Sequence, residues 1–168
     1  MTPTTIFFLS GCTILAAYTL YVVARFGILP SFSHSFYNTG AMFPAVMMLM
    51  TFAFIVPLLD ATFGQWWQPL SLFVIAPIAF VGVAAAFMDG GLTEKVHMRS
   101  AWTSAIASLL WIVLATIYIN PWTIISVPFA ALLAALGYLI NDRQNATWWA
   151  EYACFGWMIG GLAVAGWL

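Results

Sequence analysis

Charge is what this chain has least of. Four Lys or Arg and five Asp or Glu are spread over 168 residues, 5% of the whole, where globular proteins carry roughly a quarter. A water-facing surface needs such groups, so their scarcity excludes a soluble domain. With 64% hydrophobic residues and a mean hydropathy of +1.01, the expected solvent is mostly lipid hydrocarbon. A formal net charge of −1 gives neither a basic field for nucleic acid nor an acidic tail for a basic partner. Nucleic-acid binding is excluded. Cysteine occurs twice, as Cys12 and Cys154 inside the first and last apolar runs. Both are read as buried thiols acting as small hydrophobes rather than as a disulfide.

What is there is long uncharged sequence. A helix needs about 20 mostly apolar residues to cross a hydrocarbon core about 30 Å thick. Six stretches meet that length: Thr5 to Ala24, Ala41 to Leu59, Leu70 to Met88, Ser100 to Ile119, Trp122 to Ile140 and Trp148 to Leu168. Only the last holds an ionisable side chain, Glu151, near its start. The expected fold class is therefore all-α, a polytopic membrane protein built as a bundle of six transmembrane helices, with residues 1–168 forming a single transmembrane domain. The first run lacks the basic flank and short core of a cleaved signal peptide, so it is expected to be a true span.

Lys and Arg in short loops are retained on the cytoplasmic side. Arg25 follows the first span, Lys95 and Arg99 lie between the third and fourth, and Arg143 lies between the fifth and sixth, all on one face. The opposite connections, Asp60 to Pro69 and Asn120 to Pro121, contain no Lys or Arg. Both termini are expected outside the cytoplasm. Trp66, Trp67, Trp122 and Trp167 would belt the outer interface, and Trp102, Trp148 and Trp149 the inner one. Asn145-Ala146-Thr147 has the form of a glycosylation acceptor but falls on the cytoplasmic face and is read as accidental.

Small residues let lipid-immersed helices approach closely. Gly156-x-x-x-Gly160 and Gly161-x-x-x-Ala165 in the sixth span, Gly82-x-x-x-Ala86 in the third, and Ala130-x-x-x-Ala134 with Ala131-x-x-x-Ala135 in the fifth are read as seams. They are expected inside the bundle, with a homo-oligomer contact as the alternative. Pro44, Pro57, Pro77 and Pro128 fall within spans and are expected to kink them, the freed carbonyls being satisfied by neighbours.

Apart from Asp60, every ionisable side chain lies toward the cytoplasmic face, and the bilayer midplane has none. Ion-coupled carriers commonly place one there, which argues against that class. Two connections gather the remaining polar groups. In Phe26 to Thr39, aromatics alternate with hydroxyls, so Phe32, Phe36 and Tyr37 would face lipid while Ser31, Ser33, His34 and Ser35 face water or a headgroup. The plain reading is an interfacial anchor and the sharper one a wall of a polar site. In Asp89 to Arg99, Gly90 suits a left-handed helix end, and Thr93 and Glu94 suit the start of the next helix. His97 has no such explanation, and Ser100, Ser104 and Ser108 continue from it along one helix face; the plain reading is a packing seam of small residues below an interfacial His, and the sharper one a ligand site. The candidate binding residues are Ser31, Ser33, His34, Tyr37, Asp89, His97, Ser100 and Ser104; the sharper reading joins them in one pocket at the cytoplasmic mouth, and the plain one leaves two unrelated interfacial loops on opposite sides of the bundle.

Leu29-Pro30-Ser31-x-Ser33 with Tyr37, and Glu94-Lys95-Val96-His97-x-x-Ser100-Ala101, resemble motifs of a group of six-helix membrane proteins of bacteria and their phages. More distantly, the Pro-x-x-Ser loop and the helix-borne His are similar to eukaryotic membrane proteins of the damage-regulated autophagy modulator type. The resemblance covers about a tenth of the chain by motif and implies a bacterial inner-membrane location and a role near lipids. The distant relatives place the Pro-Ser loop outside the cytoplasm, whereas this chain's own Lys and Arg place it inside.

Three function classes follow. The favoured one is a non-enzymatic lipid-binding or lipid-organising protein, with membrane lipids as partners and no cofactor. A second is a metal-dependent transmembrane lipid hydrolase, with His34, His97 and Asp89 as the conceivable zinc ligands; no H-x-x-x-H pair supports it, and no metal residue is assigned. A third is a small oligomeric channel or facilitator, which the scarcity of polar lining disfavours.

Overall fold

The computed structural model describes the backbone of residues 1–85 and 91–167 and the side chains of 1–85 and 95–166. Among these residues the chain is all-α, with seven helices: α1 Pro3–Phe26, the single-turn α2 Phe36–Thr39, α3 Met42–Ala61, α4 Leu70–Ala85, α5 Gly91–Tyr118, α6 Ser126–Ile140 and α7 Ala146–Trp167. Short 3₁₀ turns at Ser33–Ser35 and Pro121–Ile125 lead into α2 and α6. Each of the six long helices overlaps one of the six apolar runs, α5 starting earlier than expected at Gly91 and α6 later at Ser126, after a 3₁₀ turn. By length and composition four stretches, Pro3–Phe26, Met42–Ala61, Lys95–Tyr118 and Pro121–Ile140, are long and apolar enough to cross a membrane, and Leu70–Ala85 is a shorter apolar helix.

Local chemistry sets the ends. Thr2 caps α1 by accepting the Thr5 N–H at 3.2 Å, and Pro3 fills the first helical position, where its missing N–H has no helical partner to lose. Gly27, at φ 77°, turns the chain out of α1. The backbone of α5 is already helical at Gly91, so Thr93 lies inside the helix rather than capping it; Asp89 and Gly90 lie outside the described residues. Pro57 and Pro77 are interior to α3 and α4. Pro44 and Pro128 instead fall in first turns, where no intrahelical bond is lost, so they do not interrupt their helices as expected.

The helices run up and down. At one end, Thr4 Oγ1 donates to Asp60 Oδ2 at 2.8 Å and Asn120 Nδ2 to the Val164 carbonyl at 3.1 Å. At the other, Asn145 Nδ2 donates to the Ile28 carbonyl at 2.8 Å. This tie explains the left-handed backbone of Asn145, φ 57°, a conformation Asn tolerates. In the packing order α1 meets α3, α3 meets α4, α4 meets α5, and α7 sits against α5, α6 and α3. Arg25, Lys95, Arg99 and Arg143 therefore share one end of the bundle.

The α7 glycines are used within the chain. A Cβ on Gly156 would stand 3.0 Å from Ala130 Cβ of α6, one on Gly160 would stand 3.2 Å from Ser126 Cβ, and one on Gly161 would stand 3.0 Å from Ile112 Cγ1 of α5. The aromatic girdle is thinner than the sequence implies. Trp66, Trp102 and Trp122 are exposed, but Trp67 and Trp148 are 3% and 2% exposed core residues, Trp67 lying edge-on to Trp111. Each has its apolar ring turned to neighbouring helices instead of an interface.

Candidate functional site

The connection after α1 folds into the bundle instead of lying flat along its end. Phe32, expected to face lipid, is only 2% exposed. Its ring packs edge-on against Tyr18, Phe43, Trp148, Tyr152 and Phe155, with centroids 5.4 to 5.9 Å away. Ser35, expected to face water, is fully buried and bonded to the Tyr18 hydroxyl at 2.7 Å, which also meets Thr39 Oγ1 at 3.0 Å. Phe36 is half-buried, and Tyr37 is exposed as expected. The driving force is the burial of one aromatic ring, and the polar backbone dragged in with it must be satisfied.

Glu151 does that. It stands five residues into α7, about 7.5 Å of helical rise from Ala146, and accepts the Phe32 backbone N–H. Its other oxygen accepts the Ser33 hydroxyl at 3.2 Å, and the Ser33 N–H also points to the carboxylate. The neighbouring α7 residue, Tyr152, bonds Thr19 of α1. One turn of α7 thus holds both α1 and the loop that follows it.

Beneath this strap lies a cavity of about 100 Å³. Its origin is in α5, where Ala101, Ser104, Ala105 and Ser108 recur at helical spacing and face α7 with little bulk. Farther along, α5 and α7 close together at Ile112 and Gly161, and the Trp157 indole donates to Ser108 Oγ at 2.8 Å. On the near side of that bond, Glu151, Cys154, Phe155 and Met158 form the α7 wall, with Ile78 and Val81 of α4 opposite. Phe43 and Met47 of α3 and the strap residues Phe32 and Ser33 complete the lining. The cavity is an apolar chamber with Glu151, Ser33, Ser104 and Ser108 as its oxygen-bearing groups.

Of the sequence-expected residues, Ser33 and Ser104 meet at this cavity. Ser31 stands behind it, its hydroxyl 3.1 Å from Ser33 Oγ while accepting the His34 N–H at 3.0 Å. His34 is exposed, with its ring 5.0 Å from that of Tyr37. Ser100 is half-buried and absent from the lining. His97 is 6% exposed and uses Nδ1–H to donate to the Val81 carbonyl at 3.2 Å. That bond clamps α5 to α4 behind the cavity wall, which gives His97 the structural explanation the sequence withheld. Asp89 lies outside the described residues.

Cys12 and Cys154 are unpaired and half-buried. Among the described residues no three His, Cys, Asp or Glu side chains gather as metal ligands. Glu151 is the residue that sequence reasoning passed over, although a lone carboxylate inside an apolar span is itself a signal. Comparison of the chain with protein-family models, curated proteins and solved structures gives no match.

Proposed function

We propose that this is an integral membrane protein whose six long helices all cross the bilayer, and that it binds a lipid at its cytoplasmic face without catalysing a reaction. The spanning reading is supported by the outer surface. Leu20, Leu49, Phe52, Phe73, Phe80, Ile106, Ile117 and Leu132 are each more than half exposed on long helices, a covering that water would penalise and acyl chains would not. The gathering of Arg25, Lys95, Arg99 and Arg143 at one end supports a cytoplasmic assignment for that end.

The lipid reading rests on the cavity beneath the strap. A few oxygen-bearing side chains, Glu151, Ser33 and Ser104, in an otherwise apolar lining that includes Phe43, Met47, Ile78 and Met158 suit an amphiphile. A dry cavity of about 150 Å³ takes a benzene, so 100 Å³ admits the end of a headgroup or a short stretch of chain rather than a whole lipid. The remainder would lie in the bilayer. Native mass spectrometry of protein extracted from its own membrane tests this: a lipid adduct surviving detergent exchange is expected, and displacement of that adduct by Ser104→Leu, which fills the cavity, is expected with it. Protein free of lipid under conditions that preserve the fold would refute it.

A further inference from the structure

The hydroxyl groups around the cavity have their protons already committed. Ser33 Oγ–H points to Glu151 Oε1 at 3.2 Å, Ser104 Oγ–H to the Val74 carbonyl at 2.6 Å, and Ser108 Oγ–H to the Ala105 carbonyl at 2.8 Å. What remains is acceptor capacity. Ser104 Oγ keeps its lone pairs, and a carboxylate offers about four acceptor sites, of which Glu151 has filled three with the Phe32 N–H, the Ser33 hydroxyl and the Ser33 N–H. Among the described residues, Cys154, with a thiol that is only a weak donor, is the other polar side chain on the wall. A group seated here must bring hydrogen-bond donors. Phosphate brings none and carries the wrong sign toward a carboxylate.

The sign of charge narrows the choice. Among the described residues, the groups acting on the Glu151 carboxylate are backbone N–H groups and a hydroxyl, with no cationic side chain among them. A buried carboxylate is costly unless a charge partner or full hydrogen bonding offsets it. The rings of Phe32, Phe43 and Phe155 line the same cavity, and aromatic rings attract cations. We infer that the group this cavity takes is a protonated primary amine, with Glu151 as its counter-ion and Ser104 as a second acceptor. The inference rests on the lipid-binding reading above, and it names an aminoethyl headgroup as the class of lipid. A free amine offers the same chemistry from a different source.

Purified wild-type protein, exchanged into detergent and probed by titration calorimetry, would be given short-chain phosphatidylethanolamine, phosphatidylcholine and phosphatidylglycerol, and free ethanolamine. The expected order is ethanolamine lipid at least tenfold tighter than the other two lipids, with free ethanolamine weaker still. In Glu151→Gln, which keeps the shape and loses the charge, the tenfold preference of ethanolamine lipid over glycerol lipid should vanish. Choline lipid as tight as ethanolamine lipid would overturn the donor argument, since a quaternary ammonium has no N–H. Glycerol lipid equal to ethanolamine lipid in wild type, or an undiminished preference in Glu151→Gln, would overturn the counter-ion while leaving lipid binding intact. Ethanolamine alone binding as tightly as its lipid would keep the amine and discard the lipid. Binding of none of the four probes would overturn both readings. The wild-type ranking needs no variant, so poor folding of Glu151→Gln leaves it decisive.

Discussion

Phe32→Ala is the perturbation with the sharpest expectation. The ring is 2% exposed and packs edge-on against five others at 5.4 to 5.9 Å. Truncating a buried Phe costs about 3–5 kcal/mol, more where the site cannot collapse. Collapse is hindered here, because the vacated volume adjoins an existing cavity of about 100 Å³ and the backbone N–H beside it is tied to Glu151. The upper half of that range is therefore expected, or a fall in melting temperature of roughly 8–20 °C for a chain of this size. The assay is thermal unfolding in a fixed detergent, with Phe63→Ala alongside. Phe63 is 83% exposed, and its truncation should stay within about 0.5 kcal/mol. Equal, small effects of both variants would show that Phe32 is a surface anchor after all.

Three further outcomes follow from the packing. Gly160→Leu should destabilise by about 1–3 kcal/mol, because even a Cβ there meets Ser126 Cβ at 3.2 Å, whereas Gly166→Leu, with nothing within 4 Å of its Cβ, should melt like wild type; equal melting of the two would place the α6–α7 seam elsewhere. His97→Ala should cost about 1 kcal/mol by leaving the Val81 carbonyl without its donor and should leave lipid retention unchanged, and loss of the lipid at full stability would restore His97 to the site. A cysteine placed at Phe63 should react with an impermeant maleimide on intact cells, and one at Asp142 only after permeabilisation; the reverse pattern would invert the topology.

The helices were legible in the sequence because each is a long run of uncharged, mostly apolar residues, and four of the stretches are long and apolar enough to cross a membrane. Much of the site was not. His97 drew attention as a rare ionisable group near a stripe of serines, yet its partner is the Val81 carbonyl one helix away, and periodicity within α5 cannot show that bond. Glu151 stood in plain view near the start of the last span, but its meaning depends on Phe32 and Ser33, 119 and 118 positions earlier. The alternating pattern of the first connection suggested one lipid face and one water face. A single ring finding an aromatic chamber overrode it, since burying Phe32 outweighs laying a short segment flat. Trp67 and Trp148 went the same way: position near a helix end is shared by belt residues and core residues, and only neighbouring helices distinguish them. Ser33 and Ser104 were within reach of sequence reasoning because each connection or helix start at one face of an up-and-down bundle must come near the others.

The proposal that the chamber beneath the strap holds the polar end of a lipid stands or falls on what occupies that chamber. An experimental density map of the protein in discs of its native lipid tests it most directly. Elongated density is expected to enter the cavity between α5 and α7, with its polar tip about 3 Å from Glu151 and Ser104. A cavity that is empty, or occupied only by water with Phe32 and Glu151 in the same places, would contradict it.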